Sequence, residues 1–175
     1  MKARWSARTQ GLRSGRLWLR LALCACVVAL LVWTASADRV MAGIQGGLAR
    51  VTGAILTGLG HGAVVEGNTV QTTLFGISVV TACTGLFITG LFIVAVIAYP
   101  ARVLSKMIGV AIGIGSIFVL NIVRLVSLYF VGVHFPRFLD TVHLLVWQSL
   151  LIVCAVLLWL LWAGRCARIP RKGAG

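Results

Sequence analysis

Residues 107–133 read MIGVAIGIGSIFVLNIVRLVSLYFVGV, a long apolar run that contains one Arg and no acid. About 20 apolar residues are enough for a helix to cross a hydrocarbon core about 30 Å thick. A soluble chain of 175 residues could not bury this run and the rest of its apolar surface, since 60% of its residues are hydrophobic and its mean hydropathy is +1.04. The sequence therefore predicts an integral membrane protein.

Three other apolar runs surround this one, at about residues 17–37, 85–98 and 142–163. The second run ends at Tyr99-Pro100, and the quoted run begins near Met107 as the third. Its glycines Gly109, Gly113 and Gly115 are small enough for close helix packing. We expect an all-α membrane protein with about four transmembrane helices. Residues 17–163 form one membrane-embedded domain, between basic ends at 1–16 and 164–175.

Residues 38–82 have a different pattern. From Arg39 to Gly60, apolar residues recur with helical spacing, which is typical of an amphipathic helix at the membrane interface. From Val64 to Thr81, β-branched residues flank the turn sequence Glu66-Gly67-Asn68. The segment therefore predicts an interfacial helix followed by a short extracytoplasmic β-like hairpin.

The charge distribution gives the orientation. The formal net charge is +13, but 12 of the 16 basic residues lie in the N-terminus, the 99–106 loop and the C-terminal tail, which contain no acid. Basic residues collect on cytoplasmic flanks of spans, and no folded face is left for a nucleic-acid site. We expect both termini in the cytoplasm of a bacterium, residues 38–82 outside its cytoplasmic membrane, lipid as a partner, and no nucleic acid.

The first run has a second interpretation. Ala35-Ser36-Ala37 matches an A-x-A signal-peptidase site. The apolar stretch is long for a signal peptide, which favours an uncleaved span, and cleavage would leave the remaining topology unchanged.

Three chemically active side chains converge near the outer leaflet. At about 1.5 Å per helical residue, Cys83, Arg124 and His143 lie about 24, 25 and 31 Å above the cytoplasmic ends of their own helices. Each residue comes from a different helix, and all three reach one layer. This layer is the candidate site.

Each of these residues also has a structural interpretation. Cys83 could be a small buried side chain, although it is the only cysteine predicted outside and so has no disulfide partner. Arg124 could reach outward to lipid phosphates, but an Arg within an apolar run is a candidate functional residue, and Asn121 shares its face. His143 could be an interfacial histidine, with Asp140 three residues earlier on the same helical face.

Other chemistries lack their motifs. The chain has no H-E-x-x-H, no G-x-S-x-G and no glycine-rich phosphate loop. No pair among His61, His134, His143 and Cys83 has i, i+4 spacing. We therefore expect neither a metal nor another cofactor.

Thr81-Ala82-Cys83-Thr84-Gly85-Leu86, then Asn121-Ile122-Val123-Arg124-Leu125, then His143 form an ordered set of motifs. This set resembles the exosortase/archaeosortase family over about residues 60–163. The stretch from Phe130 to Gln148 is most similar to its short, minimal branch, of the exosortase H kind. Thr84 departs from the family, which usually has Ser at that position.

The resemblance implies a membrane cysteine protease and transpeptidase. Its substrates would be exported proteins that end in a short PEP-CTERM-like motif, a hydrophobic helix and a basic cluster. Cys83 would be the nucleophile that forms a thioester, His143 the base and Arg124 the residue that stabilises the thiolate or oxyanion. Asn121, Asp140 and Thr84 would support them.

Two other functions remain open from the residues. A non-enzymatic subunit of a polysaccharide-export or transport complex would also suit glycine-rich spans and a lone intramembrane Arg. A thiol-redox membrane protein would need a second outer cysteine, which the predicted topology does not supply.

Overall fold

The computed structural model describes residues 18, 19, 21–30, 32, 33 and 37–168. The basic N-terminus 1–16, the last residues 169–175 and most of the A-x-A sequence lie outside these residues. Part of the first predicted span lies outside them as well.

The described chain is mainly helical. Its helices are α1 (Leu21–Leu30), α2 (Asp38–Gly58), α3 (Leu86–Ala98), α4 (Val103–His134), α5 (Leu139–Thr141) and α6 (Gln148–Arg168). A π-helical stretch, Val142–Trp147, joins α5 to α6, so that Pro136–Cys166 forms one long apolar helical run. By length and composition, α4 and this run are able to cross a membrane. Their most apolar windows are only 17% and 11% buried, which fits a helical membrane protein.

The helix boundaries differ from the predicted ones in two places. α4 begins at Val103, four residues before the predicted start, because the backbone of Arg102 is extended and Lys106 N–H already donates to its carbonyl at 3.0 Å. The last helical run begins at Pro136 instead of Val142. α3 has 13 residues and is about 20 Å long, shorter than the hydrocarbon core. The count of four spans stays a prediction.

α2 coincides with the predicted amphipathic helix. One face is buried and includes Met41, Leu48 and Leu56, while Val51 and Ile55 are exposed at its edge, so the predicted apolar stripe is only partly buried. Gly53 lies directly against the side chain of Val65, so the buried face packs on the strands that follow.

The predicted hairpin is corrected to a three-stranded antiparallel sheet. β1 (Val64–Glu66) and β2 (Thr69–Gln71) flank the predicted turn, and β3 (Gly76–Ser78) pairs with the other edge of β2. The second turn is held by Thr72, whose Oγ1 accepts hydrogen bonds from the N–H groups of Leu74 and Phe75 at 3.2 and 3.1 Å. This turn and the third strand were not predicted from the sequence.

Two apolar clusters hold the elements together. The first joins α2, the sheet and the second half of α4, and it contains Cys83. The second joins α3, α4 and α6, where Gly113 lies against the ring of Phe92 and Gly109 against Trp162. A side chain added at Gly115 would meet no atom within 4 Å among the described residues, so the predicted packing contact there is wrong.

Candidate active site

Cys83 lies in a tight turn between the sheet and α3. The 3₁₀ turn Thr81–Cys83 is closed by Cys83 N–H, which donates to the carbonyl of Val80 at 2.7 Å. Gly85 then begins α3 with a φ of 71°, in the left-handed region that a side chain disfavours. The turn and the glycine fix the backbone on both sides of a thiol that is only 4% exposed.

His143 reaches this thiol from the last helical run. Its Nε2 lies 3.1 Å from Cys83 Sγ. His143 belongs to the π-helical stretch Val142–Trp147, where backbone hydrogen bonds join residues five apart instead of four. Such stretches are frequent at functional sites. The structure thus brings the predicted nucleophile and base into hydrogen-bond contact.

Arg124 and Asn121 reach the same turn from α4. Arg124 Nη1 donates to the carbonyl of Ala82 at 3.5 Å, and Asn121 Nδ2 donates to the carbonyl of Cys83 at 2.7 Å. Each side chain is only 1% exposed. An Arg buried to this extent does not reach lipid phosphates, so the interpretation in which Arg124 extends outward does not fit.

The Arg124 side chain has a second donor that makes no hydrogen bond among the described residues. Its Nε is buried and has no hydrogen-bond partner among the described residues. A buried donor without a partner is costly, and a catalytic role is one of the explanations for such groups in native structures. The site therefore contains a fixed positive charge that is able to stabilise a negative charge formed during a reaction.

Burial favours the protonated form of the Cys83 thiol. Burial raises the pKa of Cys83 above its ordinary value, and the positive charge of Arg124 offsets only part of this effect. Since the thiolate is the reactive form of cysteine, a nearby base is needed to remove the proton, and His143 occupies that position.

Asp140 and Thr84 make no hydrogen bond to the Cys83 thiol or the His143 imidazole among the described residues. Asp140 is exposed in α5 and makes no hydrogen bond to His143 in the described part of the chain. The charge of Asp140 nevertheless acts on the His143 imidazole, so the predicted support of His143 by Asp140 stays a prediction. Thr84 Oγ1 donates to the carbonyl of Thr81 at 2.8 Å, so its hydroxyl closes the turn instead of facing the thiol.

No metal site is formed by the described side chains, since they include no group of three or more His, Cys, Asp or Glu able to hold an ion. The five cysteines are free thiols.

An apolar cavity of about 580 Å³ adjoins the Cys83 turn. Its wall combines α3 and the turn with Val28, Val32 and Met41. The lining residues from the turn and α3 are Thr81, Ala82, Thr84, Leu86, Phe87, Gly90, Leu91 and Val94. Sequence reasoning missed this cavity, because its residues come from separate segments and look like ordinary lipid-facing side chains.

A second polar cluster was also missed. Tyr129 Oη lies 3.0 Å from Thr72 Oγ1 and 3.3 Å from His61 Nδ1. These contacts tie the sheet to α4 one to two turns beyond Arg124. The only sequence signal was a Tyr within an apolar run, which by itself is too common to interpret.

One of three comparisons with known proteins finds a match. No curated protein and no solved structure matches the chain. The family model described as transmembrane exosortase (Exosortase_EpsH) matches residues 9–163, a range that includes every residue of the candidate site. The chain belongs to the transmembrane exosortase family.

Proposed function

We propose that this protein is a membrane cysteine peptidase and transpeptidase that acts through a thioester on Cys83. One observation carries the proposal. Cys83 Sγ lies 3.1 Å from His143 Nε2, and the buried guanidinium of Arg124 donates to the carbonyl of the residue that precedes Cys83. Nucleophile, base and charge thus come together from three separate elements.

The first half-reaction forms the acyl-enzyme. His143 Nε2 takes the proton of Cys83 as Sγ attacks the carbonyl carbon of the scissile peptide bond. The carbonyl oxygen becomes an oxyanion, which the unpartnered Nε of Arg124 stabilises. When the tetrahedral intermediate collapses, the C–N bond breaks and His143 returns the proton to the leaving amine. The products are a thioester and the released carboxyl-terminal fragment.

The second half-reaction releases the substrate protein. An amine or a water molecule attacks the thioester, and His143 takes a proton from this nucleophile. The C–S bond breaks, and the proton passes to the departing thiolate, which restores the Cys83 thiol. An amine gives transpeptidation and water gives hydrolysis.

The substrates we infer are exported proteins that end in a short motif, a hydrophobic helix and a basic cluster. Family membership supports this substrate class. The apolar cavity beside the Cys83 turn supports it independently, because its lining suits an apolar segment close to the bond that is cut. We place the site on the extracytoplasmic side, because the basic loops predict that both termini are cytoplasmic.

A non-enzymatic subunit of an export complex is the weaker alternative. A scaffold needs neither a thiol in contact with an imidazole nor a buried guanidinium tied to the same turn. Arg124 is also bonded to Ala82 and 1% exposed, which argues against a role in ion conduction.

The test is co-expression with an exported protein of the same genome that carries this three-part end. The full-length chain should shorten that protein, and neutral hydroxylamine should capture the thioester as a hydroxamate at the cleaved end, detected by mass spectrometry. Cys83→Ala should abolish shortening and hydroxamate formation while the variant accumulates in the membrane at the normal level. Shortening by the Cys83→Ala variant would remove the cysteine mechanism.

A further inference from the structure

We infer that Asn121 is a positioning residue that holds the Cys83 thiol against His143, an inference that rests on the proposed function. The bond that carries it joins Asn121 Nδ2 to the Cys83 carbonyl at 2.7 Å, and both groups are buried. The Asn121 side chain contacts the backbone of the nucleophile and not the thiol itself.

Both peptide groups that flank Cys83 are fixed at both of their polar atoms. The N–H groups of Cys83 and Thr84 donate within the turn, to the carbonyls of Val80 and Thr81 at 2.7 and 3.2 Å. The carbonyls of Ala82 and Cys83 accept from Arg124 and Asn121 of α4. Without the Asn121 bond, the peptide between Cys83 and Thr84 would keep only its internal contact. The Asn121 bond is also the shorter of the two from α4, at 2.7 Å against 3.5 Å.

Asn121 also packs on the residue that ends the turn. Gly85 has a φ of 71°, a conformation that a side chain disfavours. A Cβ at position 85 would lie 3.4 Å from Asn121 Cγ and Oδ1, so the Asn121 amide lies directly against this glycine. Asn121 thus contacts the turn at two points, the Cys83 carbonyl and Gly85.

The Asn121 amide acts through its donor. Its Oδ1 is buried and accepts no hydrogen bond among the described residues, so the acceptor contributes nothing to holding the side chain in place. Removal of the whole amide should therefore affect Cys83 chiefly through the lost bond to its carbonyl.

Asn68 supplies a matched control. Its Nδ2 also donates to a backbone carbonyl, that of Val79, at 3.1 Å. That bond lies four residues before Cys83 and braces the sheet instead of the turn. Asn68→Ala and Asn121→Ala therefore remove the same kind of bond from two neighbouring places.

The experiment uses the full chain with Cys24, Cys26, Cys154 and Cys166 replaced by Ser, so that Cys83 is the only thiol. Its alkylation by iodoacetamide is measured against pH. A thiol held against an imidazole should show a step in reactivity as the imidazole titrates, between about pH 5 and 8, and His143→Ala should remove the step. Asn121→Ala should also remove it, and Asn68→Ala should keep it.

Processing of the three-part substrate is then measured in a double-mutant cycle. A misplacement of about 1 Å is able to cost about 10²-fold in rate, so Asn121→Ala should lower kcat by that order and change KM little. Because Asn121 acts through the Cys83–His143 contact, Asn121→Ala with His143→Ala should be hardly slower than His143→Ala alone. Asn68→Ala with His143→Ala should show additive losses.

Asn121→Leu tests the same point with side-chain volume retained, in case Asn121→Ala fails to accumulate. A retained imidazole step in the Leu variant, or additive losses in the cycle, would overturn the positioning role. Activity of Cys83→Ala would instead overturn the proposed function, so the two failures are distinguishable.

Discussion

The Sγ atom of Cys83 lies 3.1 Å from Nε2 of His143, although the two residues are 60 positions apart in the chain. The turn before α3 supplies the thiol, and the π-helical stretch before α6 supplies the imidazole. No local sequence motif contains both groups, so the pair exists only in the folded membrane domain.

This contact predicts a specific pH dependence. His143→Ala should slow processing by about 10² to 10⁴, the usual contribution of general acid–base catalysis. In wild-type protein the rate should rise as the imidazole loses its proton. In the variant it should rise only as Cys83 ionises unaided, and since burial raises the pKa of Cys83, that rise should occur at a pH above the ordinary thiol range. A wild-type rate at neutral pH would take His143 out of the mechanism.

Substitution of Asp140 should lower the processing rate much less than substitution of His143. It is exposed and makes no described hydrogen bond to His143, so Asp140→Asn should change the rate far less than His143→Ala. Processing rates of the two variants, measured side by side across pH, check this. A loss comparable to that of His143→Ala would show that Asp140 does orient the imidazole when substrate is bound.

Much of this fold was predictable from sequence because membrane helices leave a simple signal. Apolar length identified α4 and the last helical run, and helical periodicity identified α2. The β3 strand was missed because its pairing depends on a turn made by Thr72. A threonine in a polar stretch is not a recognisable turn motif. Gly115 was misassigned because a glycine pattern predicts close packing without telling which glycine faces a neighbour.

The site was partly predictable for a different reason. The depth of Cys83, Arg124 and His143 in the membrane follows from the rise per helical residue alone, and it places all three in one layer. Depth does not give rotation about the helix axis, so the change to π-helical winding at Val142 was not predicted. The roles of Asn121 and Thr84 depend on the conformation of one turn, which spacing alone does not define.

The orientation of the chain leads to a direct test. The 12 basic residues on one side predict that reporter fusions after Gly175 and within residues 99–106 report cytoplasm, and that a fusion near Asn68 reports the outside. Paired phosphatase and fluorescent-protein reporters at each position give opposite signals. An external carboxyl terminus would place the Cys83 layer on the cytoplasmic side and contradict its role with exported substrates.

The apolar cavity predicts a variant with altered substrate binding. Phe87 lines the cavity and is 70% exposed, so Phe87→Ala should remove little packing from the protein itself. It should raise KM for the three-part substrate more than it lowers kcat, because a contact made equally in the ground state and in the transition state contributes only to binding. Phe118→Ala, at an exposed position on α4, is the control and should leave both parameters unchanged. Equal effects of the two variants would exclude the cavity as the place where the substrate binds.

Two substitutions of Arg124 separate the contribution of its charge to catalysis from the contribution of its guanidinium geometry. Arg124→Gln removes the positive charge that lowers the pKa of Cys83, so this pKa should rise further and iodoacetamide alkylation of Cys83 at pH 8 should slow. Arg124→Lys keeps the charge but loses the planar guanidinium and its Nε donor. Lys should therefore restore most of the alkylation rate but not the processing rate. Loss of one oxyanion donor typically costs about 10² to 10³ in kcat, and the Lys variant should show a loss of this order.

The two measurements together decide the role of Arg124. Alkylation needs only the thiolate, whereas processing also needs the oxyanion to be stabilised. If Arg124 stabilises both the thiolate and the oxyanion, Arg124→Lys should alkylate at a nearly normal rate but process substrate slowly. Near-normal processing by Arg124→Lys would mean that the charge alone is required. Slow alkylation in both variants, with normal accumulation in the membrane, would mean that the bond from Arg124 to the Ala82 carbonyl matters mainly for holding the turn.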